Sequence, residues 1–259
     1  MKRLLIIGNS HVGALKAGWD AMAHRPASVA VDFLVTVDAY LNVFDVAPDG
    51  RFGILDRNSL PPAHVRQAEA VNETTLRDLS DYSHVLLGGC FLGYQARLEM
   101  TANHRIDGIR DTTVPRPRLS AAAYTAFSLS LGLADLPKDW ISGIKPWCKL
   151  AIGARPPLSE AILRVESENG AARTLAADTN GVRAALALTD AALEKVFSAQ
   201  GLRYFKAPEG CIMPSGFTDE RYSLGGIRFR PMTEPSDMRH MNAAYGAICL
   251  APILDWVLE

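Results

Sequence analysis

The stretch "RLLIIGNSHVGAL", residues 3–15, decides the architecture. Four consecutive large apolar residues ending in a glycine form a strand buried on both faces, the habit of a parallel sheet. From His11 the apolar residues recur at helical spacing, so the chain reads as strand, tight turn, helix. Further apolar runs at 29–36, 84–89, 147–154 and 202–207 are expected to be the second to fifth strands. Helical patterns fall around 62–79, 119–133, 157–166 and 182–200. Strands alternating with helices predict an α/β fold with a doubly wound parallel sheet of about five strands and helices on both faces. Ligands of such sheets collect beyond the carboxyl ends of the strands, where the turn Gly8–His11 sits.

Composition narrows the function classes. The chain has 259 residues, 48% hydrophobic and 21% charged, with a net charge of -1. One domain spanning 1–259 is the expected organisation. No overall positive field is available to hold nucleic acid or an anionic membrane, so a small-molecule partner is favoured. Cys90, Cys148, Cys211 and Cys249 are scattered with no C-x-x-C pair, which argues against a zinc site and a disulfide framework and suits a reducing cytoplasm. Lys2 and Arg3 precede an apolar run that Gly8 and Asn9 break too early for a signal peptide. The apolar C-terminal segment 243–259 carries Pro252 and Asp255 and is expected to be a docking helix, not a membrane span. Oligomeric state is left open. Arg97, Arg105, Arg110, Arg116 and Arg118 are expected to lie on a solvated surface.

The opening turn admits three readings. Its glycines at 8 and 13 match neither G-x-G-x-x-G nor a G-K-[ST] loop, so nucleotide binding is set aside. Asn9 or Ser10 as a helix cap needs only one side-chain oxygen. Ser10 as a nucleophile needs a base, because a hydroxyl is weak until an imidazole takes its proton. "SDMRHMNAAYG", residues 236–246, supplies a candidate: Asp237 and His240 are spaced so that the carboxylate can hold Nδ1-H and leave Nε2 free.

The pairing of "IIGNSHVGAL" near one end with "DMRHMNAAYG" near the other resembles the SGNH hydrolases, the GDSL esterase/lipase family. The resemblance implies a flavodoxin-like fold and ester hydrolysis through a Ser-His-Asp triad, with no cofactor and no metal. The substrate implied is an acyl ester, short-chain such as acetyl, of a carbohydrate or small molecule. Carried over, Ser10 is the nucleophile, His240 the base and Asp237 its orienter, with Asn9 where the family has Asp. Cys90 in "GGCF" stands at the family's oxyanion asparagine, and "VDAYLNVFDV" (37–46) lacks the family's second-block glycine. Backbone N-H groups of Ser10 and of Gly89 or Cys90 are the expected oxyanion donors, with Asn42, Asn72 and Asn103 as loop candidates. Two other outcomes stay open: a non-catalytic carbohydrate- or acyl-binding module on the same fold, and an acyltransferase using the same triad. Of the remaining groups, His11 is assigned a packing role, its side chain turned into the first helix. Cys90 is read as a small buried residue, Asn242 as a helix cap, and Tyr245 and Gly246 as packing positions of the last helix. His24, His64, His84 and His104 are expected at the surface or in loops.

Overall fold

A computed structural model describes residues 1–35, 44–112, 114–164, 170–227 and 237–259. Its centre is a parallel sheet of β1 (Lys2–Gly8), β2 (Val29–Val35), β3 (His84–Cys90), β4 (Lys149–Ala154) and β5 (Arg203–Phe205), in the order β5-β4-β3-β1-β2. This is the flavodoxin-like order, whose direction reverses between β1 and β3. The reversal opens a crevice at their carboxyl ends, and the turn after Gly8 leads into it.

The alternation of β1 explains why both faces must be covered. Leu5 and Ile7 join the core on one face, Leu4 and Ile6 the core on the other, and all four are fully buried. Each such burial contributes about 2 kcal/mol. The Leu5 face is closed by helices α2 (Pro62–Val71), α5 (Lys138–Ile144) and α7 (Val182–Ala199), with Val65, Trp140, Ile144, Leu193 and Phe197. The Leu4 face is closed by α1 (Val12–Ala21) and α8 (Ala243–Leu258), through Leu15, Trp19, Leu250 and Ile253. Among the described residues no helix is long and apolar enough to cross a membrane, and no group of His, Cys, Asp and Glu is placed to hold a metal ion. The four cysteines are free.

Several elements depart from expectation. The helix expected over 62–79 stops at Val71, because Asn72 closes it and turns its side chain to the sheet, bonding Val35 N, Val35 O and Ala68 O. Residues Leu76–Asp78 then pair as a strand with Arg51–Gly53. Over 157–164 there is one 3-10 turn, Glu160–Leu163, in place of the expected helix, whose last two residues, 165 and 166, lie outside the described residues. Helices α3 (Tyr94–Asn103), α4 (Ala121–Ala134) and α6 (Gly170–Ala176) complete the set, of which α4 was expected. Thr36, the last residue of the expected second strand, lies outside the described residues.

Two polar expectations are corrected. Arg97 and Arg110 are buried, not solvated: Arg97 faces Asp190 at 3.5 Å, and Arg110 donates to the carbonyls of Thr101, Asp178 and Asn180. His84 is buried at the start of β3 with its ring edge-on to Trp256 at 4.6 Å, and burial pulls its pKa down to about 4.

The packing of α1 on α8 joins the two ends of the chain, and it depends on glycines. A Cβ at Gly246 would stand 1.7 Å from Ala14 O, and one at Gly18 would stand 2.4 Å from Ala247 N. Gly246→Ala is therefore expected to destabilise the fold by about 3 kcal/mol, the upper range for overpacking. Gly210→Ala, whose Cβ would meet nothing within 4 Å, serves as control. Urea denaturation midpoints compare them; equal midpoints would show that the helices do not need this close approach.

Candidate active site

The turn after β1 is built by its own backbone and by Asn9. The carbonyls of Asn9 and Ser10 accept from Val12 N and Gly13 N at 3.0 and 3.1 Å, starting α1. Asn9 Oδ1 accepts from His11 N at 3.0 Å, while Asn9 Nδ2 donates to Gly89 O at 3.1 Å. The second bond needs a donor, so an amide here ties β1 to β3 where a carboxylate would not. Gly89 has φ +71°, and a Cβ there would stand 2.7 Å from Asn9 Oδ1 and 2.9 Å from His11 Cβ, so the position has no room for a side chain.

Ser10 is not the cap of α1. The helix begins without a side-chain cap, and the Ser10 hydroxyl meets His240 Nε2 at 2.7 Å, across 230 residues of sequence. His240 Nδ1 meets Asp237 Oδ2 at 2.7 Å. The other oxygen, Asp237 Oδ1, accepts from Arg239 N at 2.9 Å and His240 N at 3.2 Å, so the carboxylate folds the loop that presents the ring. An ionised carboxylate only accepts, which puts the proton on Nδ1 and turns the Nε2 lone pair to the hydroxyl. Both Asp237 and His240 are buried. Asn242 then caps α8 through Tyr245 N at 3.2 Å and fixes the preceding loop through Arg221 O and Leu224 O.

His11 packs against the site. Its ring is stacked on that of His240, with centroids 4.8 Å apart and planes 17° from parallel, and it meets Phe91 edge-on at 5.8 Å. Its side chain therefore does not simply turn into α1. Burial, then the charge of Arg155, then His240 hold its pKa well below the usual range for histidine, so it is neutral at pH 7. Proton transfer to His240 thus creates a cation against a neutral aromatic face, a favourable arrangement.

The oxyanion donors expected at the opening turn and at the end of β3 are backbone groups. Among the described residues the Ser10 N-H donates to no carbonyl. Gly89 and Cys90 lie where the β3–β4 register shifts, between Leu87 and Cys90. Cys90 keeps its proton, since burial pushes the thiol up to about 12, and Sγ donates to Leu87 O at 3.3 Å. It is not placed to act as a thiolate. Of the loop asparagines, Asn72 spends its amide on Val35 and Ala68, Asn103 is exposed at the end of α3, and Asn42 lies outside the described residues.

Two cavities flank the end of β3, both lined by Gly88 and Gly89. One, of about 270 Å³, lies on the α8 side against His11, Tyr204 and Tyr245. The other, of about 430 Å³, lies on the α5 side against Asn9, Phe91 and Trp140. Arg155, which follows β4 directly, escaped the sequence reading, although its place at the carboxyl end of a strand was a signal.

No protein-family model and no curated protein matches the chain. Among solved structures, an extracellular lipase from Streptomyces rimosus aligns over 99% of this chain and 100% of its own, at 12% identity and a TM-score of 0.43.

Proposed function

We propose that the chain is a serine ester hydrolase of the SGNH type, with Ser10 as nucleophile, His240 as general base and acid, and Asp237 as the residue that orients His240. The observation that carries this reading is the hydrogen-bonded line from Ser10 Oγ through both ring nitrogens to Asp237 Oδ2, each link 2.7 Å. A helix cap or a binding pocket needs no such line.

Ser10 Oγ attacks the ester carbonyl carbon as Nε2 takes its proton, giving a tetrahedral intermediate beside imidazolium. The backbone N-H groups of Ser10 and of Gly89 or Cys90 face its oxyanion, and such donors act at full strength because they are fixed before the charge forms. Collapse of the intermediate expels the alcohol oxygen, which receives the proton from Nε2 and leaves an acyl-serine. Water then repeats the cycle, giving its proton to His240, and the carboxylic acid departs. The substrate is an acyl ester of a small molecule or carbohydrate; a sugar hydroxyl in place of water turns the same cycle into acyl transfer.

A binding module on the same fold is the second reading, favoured by Cys90 standing where the family's oxyanion asparagine would be. Treatment with a serine-directed fluorophosphonate separates the two. One equivalent of label, found on the peptide carrying Ser10, is the expected result. A folded protein that remains unlabelled while it binds an acylated oligosaccharide would replace hydrolysis with binding.

A further inference from the structure

Beside the Ser10–His240 pair lies a buried positive charge that meets no anion among the described residues. Arg155 is 8% exposed. Its backbone N-H donates to Cys90 O at 2.9 Å, which fixes it at the carboxyl end of the sheet, next to the oxyanion region. The guanidinium stacks over Phe91 at 4.8 Å and over Tyr94 at 5.0 Å. Its Nε donates to Pro156 O at 3.3 Å, a long bond, and Nη2 is buried with no partner among the described residues. Among the described residues no carboxylate stands within ion-pair distance of Arg155.

The other buried arginines differ in having a carboxylate nearby. Arg97, although its Nε and Nη1 also make no hydrogen bond among the described residues, has Asp190 at 3.5 Å, and Arg110 has three carbonyls together with Asp178 at 3.9 Å. A buried cation left unpaired costs several kcal/mol, and a fold retains one where a ligand completes it. Two aromatic faces offset part of that cost, and Nη2 on the guanidinium edge, the part that binds anions, still lacks a partner among the described residues.

Arg155 does not stand apart from the site. Phe91, one of its two stacking partners, is the ring that meets His11, which in turn stacks on His240. A second arginine, Arg239, lies between Asp237 and His240 in the sequence and is exposed. The two charges are close enough to repel: burial first, and Arg239 after it, lower the pKa of Arg155, and both arginines help keep His11 neutral. A negative group bound here would relieve burial and repulsion together. A neutral acetyl ester would leave both in place.

We propose that Arg155 forms an anion-recognition subsite beside Ser10 and His240, so that the preferred substrates are esters carrying a fixed negative charge, a carboxylate or a phosphate. The proposal rests on the esterase reading for its catalytic consequence, but the subsite itself is a binding claim. A planar guanidinium offers two parallel N-H groups to either anion, and a charge-assisted pair of this kind is worth roughly ten- to a hundredfold in affinity.

The test compares matched esters on one protein preparation, so that any loss of folded protein cancels in the ratio. On the alcohol side, 4-acetoxybenzoate and 4-acetoxyphenyl phosphate are compared with methyl 4-acetoxybenzoate. On the acyl side, the 4-nitrophenyl monoester of adipate is compared with the heptanoate. The wild type is expected to favour the charged member of at least one pair. In Arg155→Met the charged-to-neutral ratio of kcat/KM should fall at least tenfold, and in Arg155→Lys it should fall less, because the charge remains without the fork. The arm that responds shows whether the charge belongs on the alcohol or the acyl part, and benzoate against phosphate shows which anion fits.

Calorimetric binding of 4-acetoxybenzoate and 4-acetoxyphenyl phosphate to Ser10→Ala, with and without Arg155→Met, is read alongside. Binding at least tenfold weaker in the double variant supports the subsite even if the wild type hydrolyses nothing, in which case only the esterase reading falls. Turnover with the same ratio in wild type and Arg155→Met, on both arms, overturns the subsite and leaves the esterase reading standing.

Discussion

Ser10→Ala is expected to lower kcat for a short-chain aryl ester by about 10⁴-fold or more, with KM changed only a few-fold, because removing the nucleophile disables attack while leaving the carbonyl's resting place intact. The side chain is only partly buried and its one hydrogen bond among the described residues is to His240, so the variant should fold. The turn survives because its bonds come from Asn9 and the backbone: Val12 N and Gly13 N still meet the carbonyls of residues 9 and 10. Initial rates on an aryl acetate, together with the thermal midpoint, settle the point. A well-folded alanine variant within tenfold of the wild type would remove Ser10 from the chemistry.

The central sheet was legible because its cause is local. Leu4 to Ile7 are apolar at every position, which only burial on both faces accommodates, and the structure divides them between two cores. Element ends were less legible where a distant partner decides them. The helix from Pro62 stops at Val71 because Asn72 reaches back to Val35, 37 residues earlier, and no helical propensity encodes that bond. The misread arginines have the same origin, since Arg110 is buried against carbonyls 68 and 70 residues away that composition cannot see.

The site divides in the same way. Ser10, Asp237 and His240 were visible because each sits in a short motif whose spacing carries chemical meaning, and the fold places them in one hydrogen-bonded line. The stacking of His11 on His240 and the burial of Arg155, unpaired among the described residues, were not, because each exists only once α1, β3, β4 and the loop before α8 come together. The α1–α8 crossing does more than fill a core. Its glycines set how closely the segment after Ser10 approaches the segment after His240, so helix packing and the Ser10–His240 distance share one determinant.

Asp237→Asn should cost about as much as losing the nucleophile while leaving the fold almost untouched. Two duties of the carboxylate are separable: Oδ1 accepts the N-H groups of Arg239 and His240, and Oδ2 faces Nδ1. An amide keeps the first through its carbonyl oxygen. On the second it presents NH2 where an acceptor stood, and two donors cannot face each other. The imidazole then takes the opposite tautomer, with the proton on Nε2 directed at Ser10 Oγ, and can no longer receive one from it. The expected fall in kcat at pH 7 is about 10⁴-fold, with a thermal midpoint near that of the wild type. Asp237→Ala, which also strips the loop of its two backbone bonds, should lose stability as well as activity. Nitrogen chemical shifts of the His240 ring report the tautomer directly in the wild type and in the asparagine variant. If the asparagine variant shows the swapped tautomer yet hydrolyses esters within tenfold of the wild type, His240 is not the base.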